Sequence, residues 1–561
     1  MRVFAATIAA LALATIAGAQ TVPRHTGQRT IVDRTGDNRL EYRAADRRLI
    51  RDEISPHNIA LAPFPTLIAF AHLADTQMVD EESPGRVELV DFIGGDPFSA
   101  SYRPQEGLMP FVLNEEVRAI RNLRRGPVTG APISLAMTGG DNVDNAQLNE
   151  TRWFIDIMDG GRVVNPNSGR PRTCGLKKPP LYGGMRGGGR FYEPNGRGDG
   201  PGYAPSQAAN RRTSGRSVAS RDYKGLFEQM NRRFRPVGLG IPWYSVVGNH
   251  DALVQGNFAQ NQLFDQVVTG CRKVTRYSRE ALAQIRPLLA GGVTPQERAD
   301  IIRLTLGDFL DTWGVPREHR GLWKTVPRDP ARRFLGKVDW MRQHFTTRGR
   351  PVGHGFTRTN LETASGFYAF KAAVGLRFVV LDTVADNSSS GNIDEPQLNR
   401  LELELAAAEA RRELIVVFGH HSLRTMTAAE PGARLGPDVE RLLRSHPGVI
   451  AYVAGHEHRN RIEPHGSFWE VVTASHLEWP QQSRVIEIAD LRNGELAIHA
   501  TAIDHAAPPR PGRPGPQRLA SIARELSLNE PQAENGENGW PDRRGSLQDR
   551  NASLLVPDPF P

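Results

Sequence analysis

Cysteine is almost absent from this 561-residue chain, which carries Cys174 and Cys271 alone. Neither has the spacing of a thiolate metal site. Two readings stay open for the pair, a single bridge between two insertions or two unpaired thiols. Long hydrophobic runs are missing beyond the first residues, so no later segment is long enough to span a membrane. There is no regular stripe of basic residues interleaved with aromatics. Lys and Arg outnumber Asp and Glu by 70 to 62, a net +8. Much of that surplus falls in expected helix ends and loops, such as Arg118, Arg121, Arg124 and Arg125. It reads as a mildly cationic surface that favours anionic partners, not as a specific nucleic-acid interface. Gly187 to Gly189 lacks both the Lys and the strand–helix frame of a phosphate-cradling loop. Arg197-Gly198-Asp199, in the same Gly-rich stretch, is too short a motif to carry meaning.

The first residues have the three-part order of an export signal. Arg2 is followed by the apolar Val3 to Ile16, then by the small residues Ala17-Gly18-Ala19 before Gln20. With no Arg-Arg pair, the general secretory route is expected, with cleavage near Ala19 and a periplasmic or secreted product. Residues 20–65 read as a polar lead-in. The main domain is expected over 66–505, interrupted by a Gly/Arg-rich insertion at about 160–222 and a helical cap at about 268–350. Thr294-Pro295-Gln296-Glu297 opens a helix inside that cap. From Ala506 the chain turns Pro-rich and polar, and residues 506–561 are expected to be disordered.

Within the main domain, short apolar runs recur, and several end in a polar block. Thr66 to Ala74 runs into Asp75-Thr76-Gln77, and Ile133 to Met137 into Gly140-Asp141-Asn142-Val143-Asp144. Ile241 to Val247 precedes Gly248-Asn249-His250-Asp251. Leu414 to Phe418 precedes Gly419-His420-His421, and Val449 to Val453 precedes Gly455-His456-Glu457-His458. Leu376 to Leu381 ends at Asp382. Runs of this kind suit strands buried on both faces. Helical patterns lie between several of them, as at Gln397 to Arg411, where Leu398, Leu401, Leu403 and Leu405 lie on or near one side. The alternation argues an α/β sandwich. Later strands crowd together around Arg492-Asn493-Gly494, where antiparallel pairing is expected.

The blocks supply Asp, Asn and His side chains at strand ends, the inventory of a two-metal centre. Residues two apart on a strand face the same way, so Asp75 and Gln77 can meet one ion together, as can His456 and His458. Asp141 offers a carboxylate able to bridge, Asn249 an amide oxygen and His420 an imidazole. This mixture of nitrogen and oxygen donors suits Zn, Fe, Mn or similar ions. Asp382 reads as a structural carboxylate, and His354 is a candidate to reach substrate.

The ordered set resembles the calcineurin-like, or binuclear metallophosphoesterase, superfamily, over about Thr66 to Ile503. The likeness is nearer still to exported bacterial members, through His72, Asp75 to Gln77 and Pro242-Trp243-Tyr244 ahead of Gly248-Asn249-His250-Asp251. The resemblance implies a four-layer α/β/β/α sandwich of mixed sheets. It places Asp75 and His458 on a first metal, Asp141 between two metals, and Asn249, His420 and His456 on the second. It makes His250 the acid beside the leaving group, with Asp144 orienting it, and leaves His421 near the substrate or in packing. The activity implied is hydrolysis of a small anionic phosphomonoester or phosphodiester by a hydroxide held between two divalent ions (Mn, Fe, Zn or Mg). Gln77 departs from the pattern, which has His there. That change favours a harder ion at a more labile first site. The competing reading is a catalytically weakened binding or envelope protein on the same fold. A β-lactamase-like metallohydrolase is excluded, because its His-x-His-x-Asp-His cluster is missing.

Overall fold

The structure is a computed structural model that describes residues 25–33, 40–56, 64–93, 101–103, 105–170, 172–176, 226–288, 294–529 and 542–561. The expected export signal, the Gly187–Gly189 stretch and the Arg197-Gly198-Asp199 motif lie outside these residues, as does most of the 160–222 insertion.

Two mixed sheets face each other. The seven-stranded one runs Leu49–Arg51, Ala552–Pro557, Glu495–Asp504, Gln482–Asp490, Thr66–Leu73, Ile133–Thr138, Trp243–Tyr244. Its last three members are mutually parallel. The six-stranded sheet runs Arg461–Pro464, Trp469–Val472, Val449–Ala454, Leu414–Phe418, Leu376–Val380, Tyr368–Ala373. Its four central strands are parallel and both edges are antiparallel. Gln482–Asp490 and Glu495–Asp504 form the antiparallel pair that the intervening Asn-Gly turn predicts.

Strand alternation builds the layers. In Leu414–Phe418, Leu414, Val416 and Phe418 point between the sheets, while Ile415 and Val417 point to the outer helices. Phe70, Phe378 and Phe418 meet in the central layer, with Phe70 edge-on to both partners at centroid distances of 5.1 and 5.9 Å. One outer layer is made by helices Glu395–Ala410 and Gly436–Ser445. The other is made by Met109–Leu123, Leu148–Asp159 and Pro516–Asn529. The arrangement is the four-layer α/β/β/α sandwich. On Glu395–Ala410 the buried positions are Leu401, Leu405 and Ala408, at helical spacing, so Leu403 turns outward and is 72% exposed.

Three expectations need correction. The strand expected over Ile241 to Val247 pairs only at Trp243–Tyr244. Residues 268–350 are not purely helical, since strands Arg272–Val274 and Trp323–Thr325 pair beside helices Arg279–Leu288 and Pro295–Gly314. Thr294 and Glu297 cap the second helix reciprocally. The larger correction concerns the C-terminal residues. Leu519, Ile522, Ala523 and Leu526 are buried where Pro516–Asn529 packs in the core beside Met109–Leu123, and Ala552–Pro557 is an inner strand of the seven-stranded sheet. The apolar run Leu554-Leu555-Val556 outweighs the Pro-rich composition around it. Cys174 and Cys271 are bonded to each other across 97 residues, joining the two insertions. No described helix is long and apolar enough to cross a membrane.

Candidate metal centre

The parallel strands of both sheets end on the same side, and the polar blocks meet there. This is the carboxyl-end crevice where open α/β sheets place ligands. The donors do not lie on the strands, however. Thr66–Leu73 stops before Asp75, and Val449–Ala454 stops before His456. The alternation argument for Asp75 with Gln77, and for His456 with His458, is therefore replaced by loop geometry. Asp75, Gln77, Asp141, His456 and His458 all have left-handed backbones, with φ of 50°, 44°, 50°, 67° and 54°. Five of the seven expected ligands thus sit in a region that non-glycine residues seldom enter. Such strain concentrates at functional sites. Packing holds it in place. A side chain at Gly248 would collide with Asp141, and one at Gly256 (φ 67°) with Asn249 and His250.

Each donor is aimed by a second contact. His420 Nδ1 donates to the Gly139 carbonyl at 2.7 Å, which leaves Nε2 to face inward. Asn249 donates its amide NH to the Gly256 carbonyl at 3.0 Å, turning Oδ1 the same way. His420 Nε2 then lies 3.0 Å from Asn249 Oδ1, 3.2 Å from Asp141 Oδ2 and 3.2 Å from His456 Nδ1. On the other side, His458 Nδ1 donates to Glu478 Oε2 at 3.0 Å and presents Nε2 to Asp75 Oδ1 at 3.4 Å. The Asp75 carboxylate also accepts from the His456 backbone NH at 3.0 Å, and Asp141 Oδ1 from that of His250 at 2.9 Å.

With Nδ1 protonated, the Nε2 of a neutral His420 carries a lone pair. Here it faces a buried carboxylate oxygen, a buried amide oxygen and the nitrogen of the part-buried His456 imidazole. Electron-rich atoms that converge in this way call for positive charge among them, either a proton on His420 or a bound cation. The charges show the same demand. Burial works against a charged His420, yet Asp141 and Asp75 raise its pKa to about 9. Burial likewise opposes charge on His458, and Glu478 and Asp75 raise it to about 9. Gln77 Oε1 is buried and has no hydrogen-bond partner. An orphaned amide oxygen of this kind, beside Asp75, fits a ligand to a hard ion. The donor set could therefore hold divalent cations, with Asp75, Gln77 and His458 grouped on one side, Asn249, His420 and His456 on the other, and Asp141 between them.

His421 lies close to His420 and His456, but both its ring nitrogens are engaged, by Thr383 Oγ1 at 2.8 Å and the Ser389 carbonyl at 3.0 Å. It is a packing residue. Asp382 pairs with Lys337 at 2.9 Å and accepts from Gly366 N, a structural role. His354 does not reach out to substrate. It is buried and stacked on Trp243 at 3.4 Å. His250 donates from Nδ1 to the Asp144 backbone carbonyl at 2.6 Å, so Nε2 is the atom that can present a proton. Asp144 meets it through the main chain, not through its carboxylate, which is ion-paired with buried Arg86.

No protein-family profile matches the chain. A 99-residue stretch, 17% of this chain, is 31% identical to a manganese-dependent ADP-ribose/CDP-alcohol diphosphatase of Xenopus tropicalis. The match spans 28% of that protein's length. Among solved structures, a dimetal phosphatase of Danio rerio aligns over 79% of this chain and all of its own, at 13% identity and TM-score 0.32. An anchor protein of the Plasmodium inner membrane complex aligns over 84% of this chain and 96% of its own, at 10% identity and TM-score 0.26. The layers described above rest on this chain's own strands, not on these likenesses.

Two parts of the centre had no sequence motif to announce them. Glu478 follows Trp469–Val472 in His476-Leu477-Glu478-Trp479, and an acid in so apolar a stretch was the available signal. It stays ionised because Arg103, Arg543 and His458 together outweigh burial and hold its pKa well below the usual range. Arg86 sits between Asp144 and Glu106, 2.6 Å from the latter, in a segment that carries no other mark.

Proposed function

We propose that this chain is an exported hydrolase of small anionic phosphoesters that works with two divalent cations, manganese foremost. The observation that supports it is the gathering of lone pairs from Asp75, Asp141, Asn249, His420, His456 and His458, from five separate segments, in two adjoining groups at one crevice. When bound, the ion pair would supply charge to offset the phosphate and a water of lowered pKa. The remaining work falls to the chain. His250, part-exposed and held through Nδ1, protonates the departing oxygen from Nε2. Asp144 fixes that ring through its carbonyl, and Arg86 fixes Asp144. The presence of an oriented His250 favours an enzyme over a binding protein on the same fold.

The test is to assay the mature protein with Mn²⁺ on nitrophenyl monoester, nitrophenyl diester and ADP-ribose, the last because the Xenopus relative is named for it. His250→Ala is expected to keep its metal and lose about 10²–10⁴-fold in rate. The loss should be greatest for poor leaving groups. A wild-type protein that is fully loaded and inactive on all three substrates would refute the reading.

A further inference from the structure

The carboxylate that orients His458 is itself gripped by two arginines, and one comes from the far C-terminus. Glu478 Oε1 lies 2.5 Å from Arg103 Nη2. Glu478 Oε2 lies 2.9 Å from Arg543 Nη1, the same oxygen that accepts from His458. Arg543 Nη1 also donates to the Glu457 carbonyl at 3.2 Å, in the peptide between His456 and His458. The Arg543 carbonyl in turn accepts from Asn460 N at 2.9 Å. A few residues on, Asp549 Oδ1 accepts from Ile462 N at 2.9 Å. The segment from Asp542 to Arg550 is thus laced to the loop that carries two of the metal donors.

We propose that Arg543 is a positioning residue of the first metal site, holding Glu478 so that His458 keeps Nε2 on the ion it shares with Asp75. The proposal rests on the metal-centre reading above. A ligand histidine needs its other nitrogen tied down, because that bond sets the tautomer, the ring angle and the basicity of the donor. A buried carboxylate can do this only if its own charge is met. Arg543 does both, meeting the charge of Glu478 and pinning the Glu457 peptide. The second site depends on it less, since His420 and Asn249 are oriented by the Gly139 and Gly256 carbonyls instead, and only His456 shares the loop that Arg543 pins. Residues that read as a disordered tail therefore reach the first site directly, through Glu478 and His458, and the second only through the backbone beside His456.

The full chain, stripped of metal and titrated with Mn²⁺, tests this by calorimetry and by electron paramagnetic resonance. The wild type is expected to take two ions and show the spectrum of a coupled pair. In Arg543→Ala one ion should bind about 10–100-fold more weakly while the other is affected much less. At limiting Mn²⁺ the coupled spectrum should give way to that of a single ion. Arg543→Lys, which keeps the charge but reaches fewer acceptors, should recover part of the affinity, and it serves in place of the Ala variant should that one not fold. Arg550→Ala, on the same segment but paired with Asp46 and Asp542, should match the wild type. The proposal is overturned if Arg543→Ala binds both ions as the wild type does, if it weakens both equally, or if Arg550→Ala shows the same loss. A wild type that takes up no Mn²⁺ would overturn the metal-centre reading itself.

Discussion

Two buried clusters of charge lie side by side in this molecule and are balanced in opposite ways. One surrounds Asp80, Glu82, Glu88, Glu106 and Asp144. There the chain supplies its own cations. Arg332 is 2.9 Å from Asp80 and 3.4 Å from Glu82, Lys273 is 2.6 Å from Glu88, and Arg86 joins Glu106 to Asp144. Excess negative charge is shed as well, since burial pushes Glu82 and Glu150 up to about 8 and keeps them protonated near neutrality. The other cluster surrounds Asp75 and Asp141. Among the described residues no Lys or Arg pairs with either, and their ion-pair partners are imidazoles. The fold places three fixed cations in one cluster and only titratable imidazoles in its neighbour, where a bound cation could take over the role of their protons. Asp144 belongs to the first cluster by its side chain and to the second through its carbonyl on His250. The self-balanced cluster thereby holds His250, the acid of the proposed reaction.

The comparison breaks most severely at Asp141, the donor within reach of both ions. Asp141→Asn removes the shared charge and keeps the shape. Metal analysis should find neither ion retained, and activity should fall by about 10⁴-fold or more, the loss of several kcal/mol of charge stabilisation. The variant should still fold, because the centre's charges are no longer in excess. An Asp141→Asn protein that retains two ions would show that the two halves do not share this donor.

Arg332→Met tests the other cluster. It strands the Asp80 carboxylate in the interior, and breaking a buried pair from one side costs about 3–5 kcal/mol. That loss should appear in the urea midpoint, while Mn²⁺ stoichiometry stays at the wild-type value. If Arg332→Met changed metal content and left stability alone, the division between a structural and a metal-binding cluster would be wrong.

The third effect is smaller and acts in the opposite direction. Mn²⁺ at one hundred times its dissociation constant should stabilise the wild type by about 2.7 kcal/mol for each site filled. Asp141→Asn should gain nothing, and Arg332→Met should gain as much as the wild type. Thermal unfolding with and without chelator measures all three.

How far the sequence carries the reader differs between the two clusters. The residues gathered at the candidate centre were legible because each follows its own apolar run, so Asp75, Asp141, Asn249, His420 and His456 could be expected at one crevice from local pattern, and the structure brings them together there. Their conformation was not. Nothing local announces that Asp75 or His458 turns left-handed, since that is imposed by contacts such as Gly455 against Asp75. The self-balanced cluster was invisible, because Lys273 and Glu88 are 185 residues apart and only the fold brings them together. Glu478 and Arg543 were missed for the same reason. The C-terminal strand was missed differently. Averaging composition over 506–561 hid a six-residue strand with the apolar centre Leu554-Leu555-Val556 among prolines, although Leu519, Ile522, Ala523 and Leu526 carry helical spacing that shorter windows would have caught.

The smallest expected effect sharpens the comparison within the metal centre itself. Gln77 Oε1 is the one donor there that is buried, unpartnered and uncharged in every state. As an amide oxygen it favours a hard ion over a borderline-soft one. Gln77→His replaces that oxygen with an imidazole nitrogen. The backbone tolerates the change, since φ is 44° and His is among the residues enriched in the left-handed region. The ratio of Zn²⁺ to Mn²⁺ affinity at the first site should therefore rise by about tenfold, roughly 1.4 kcal/mol, with the second site unmoved. Competition between the two ions, read at subsaturating metal, gives that ratio directly. A ratio identical to the wild type's would place Gln77 outside the ligand sphere. The first ion would then be held by Asp75, Asp141 and His458, and the metal preference would have to come from Glu478 behind His458 instead.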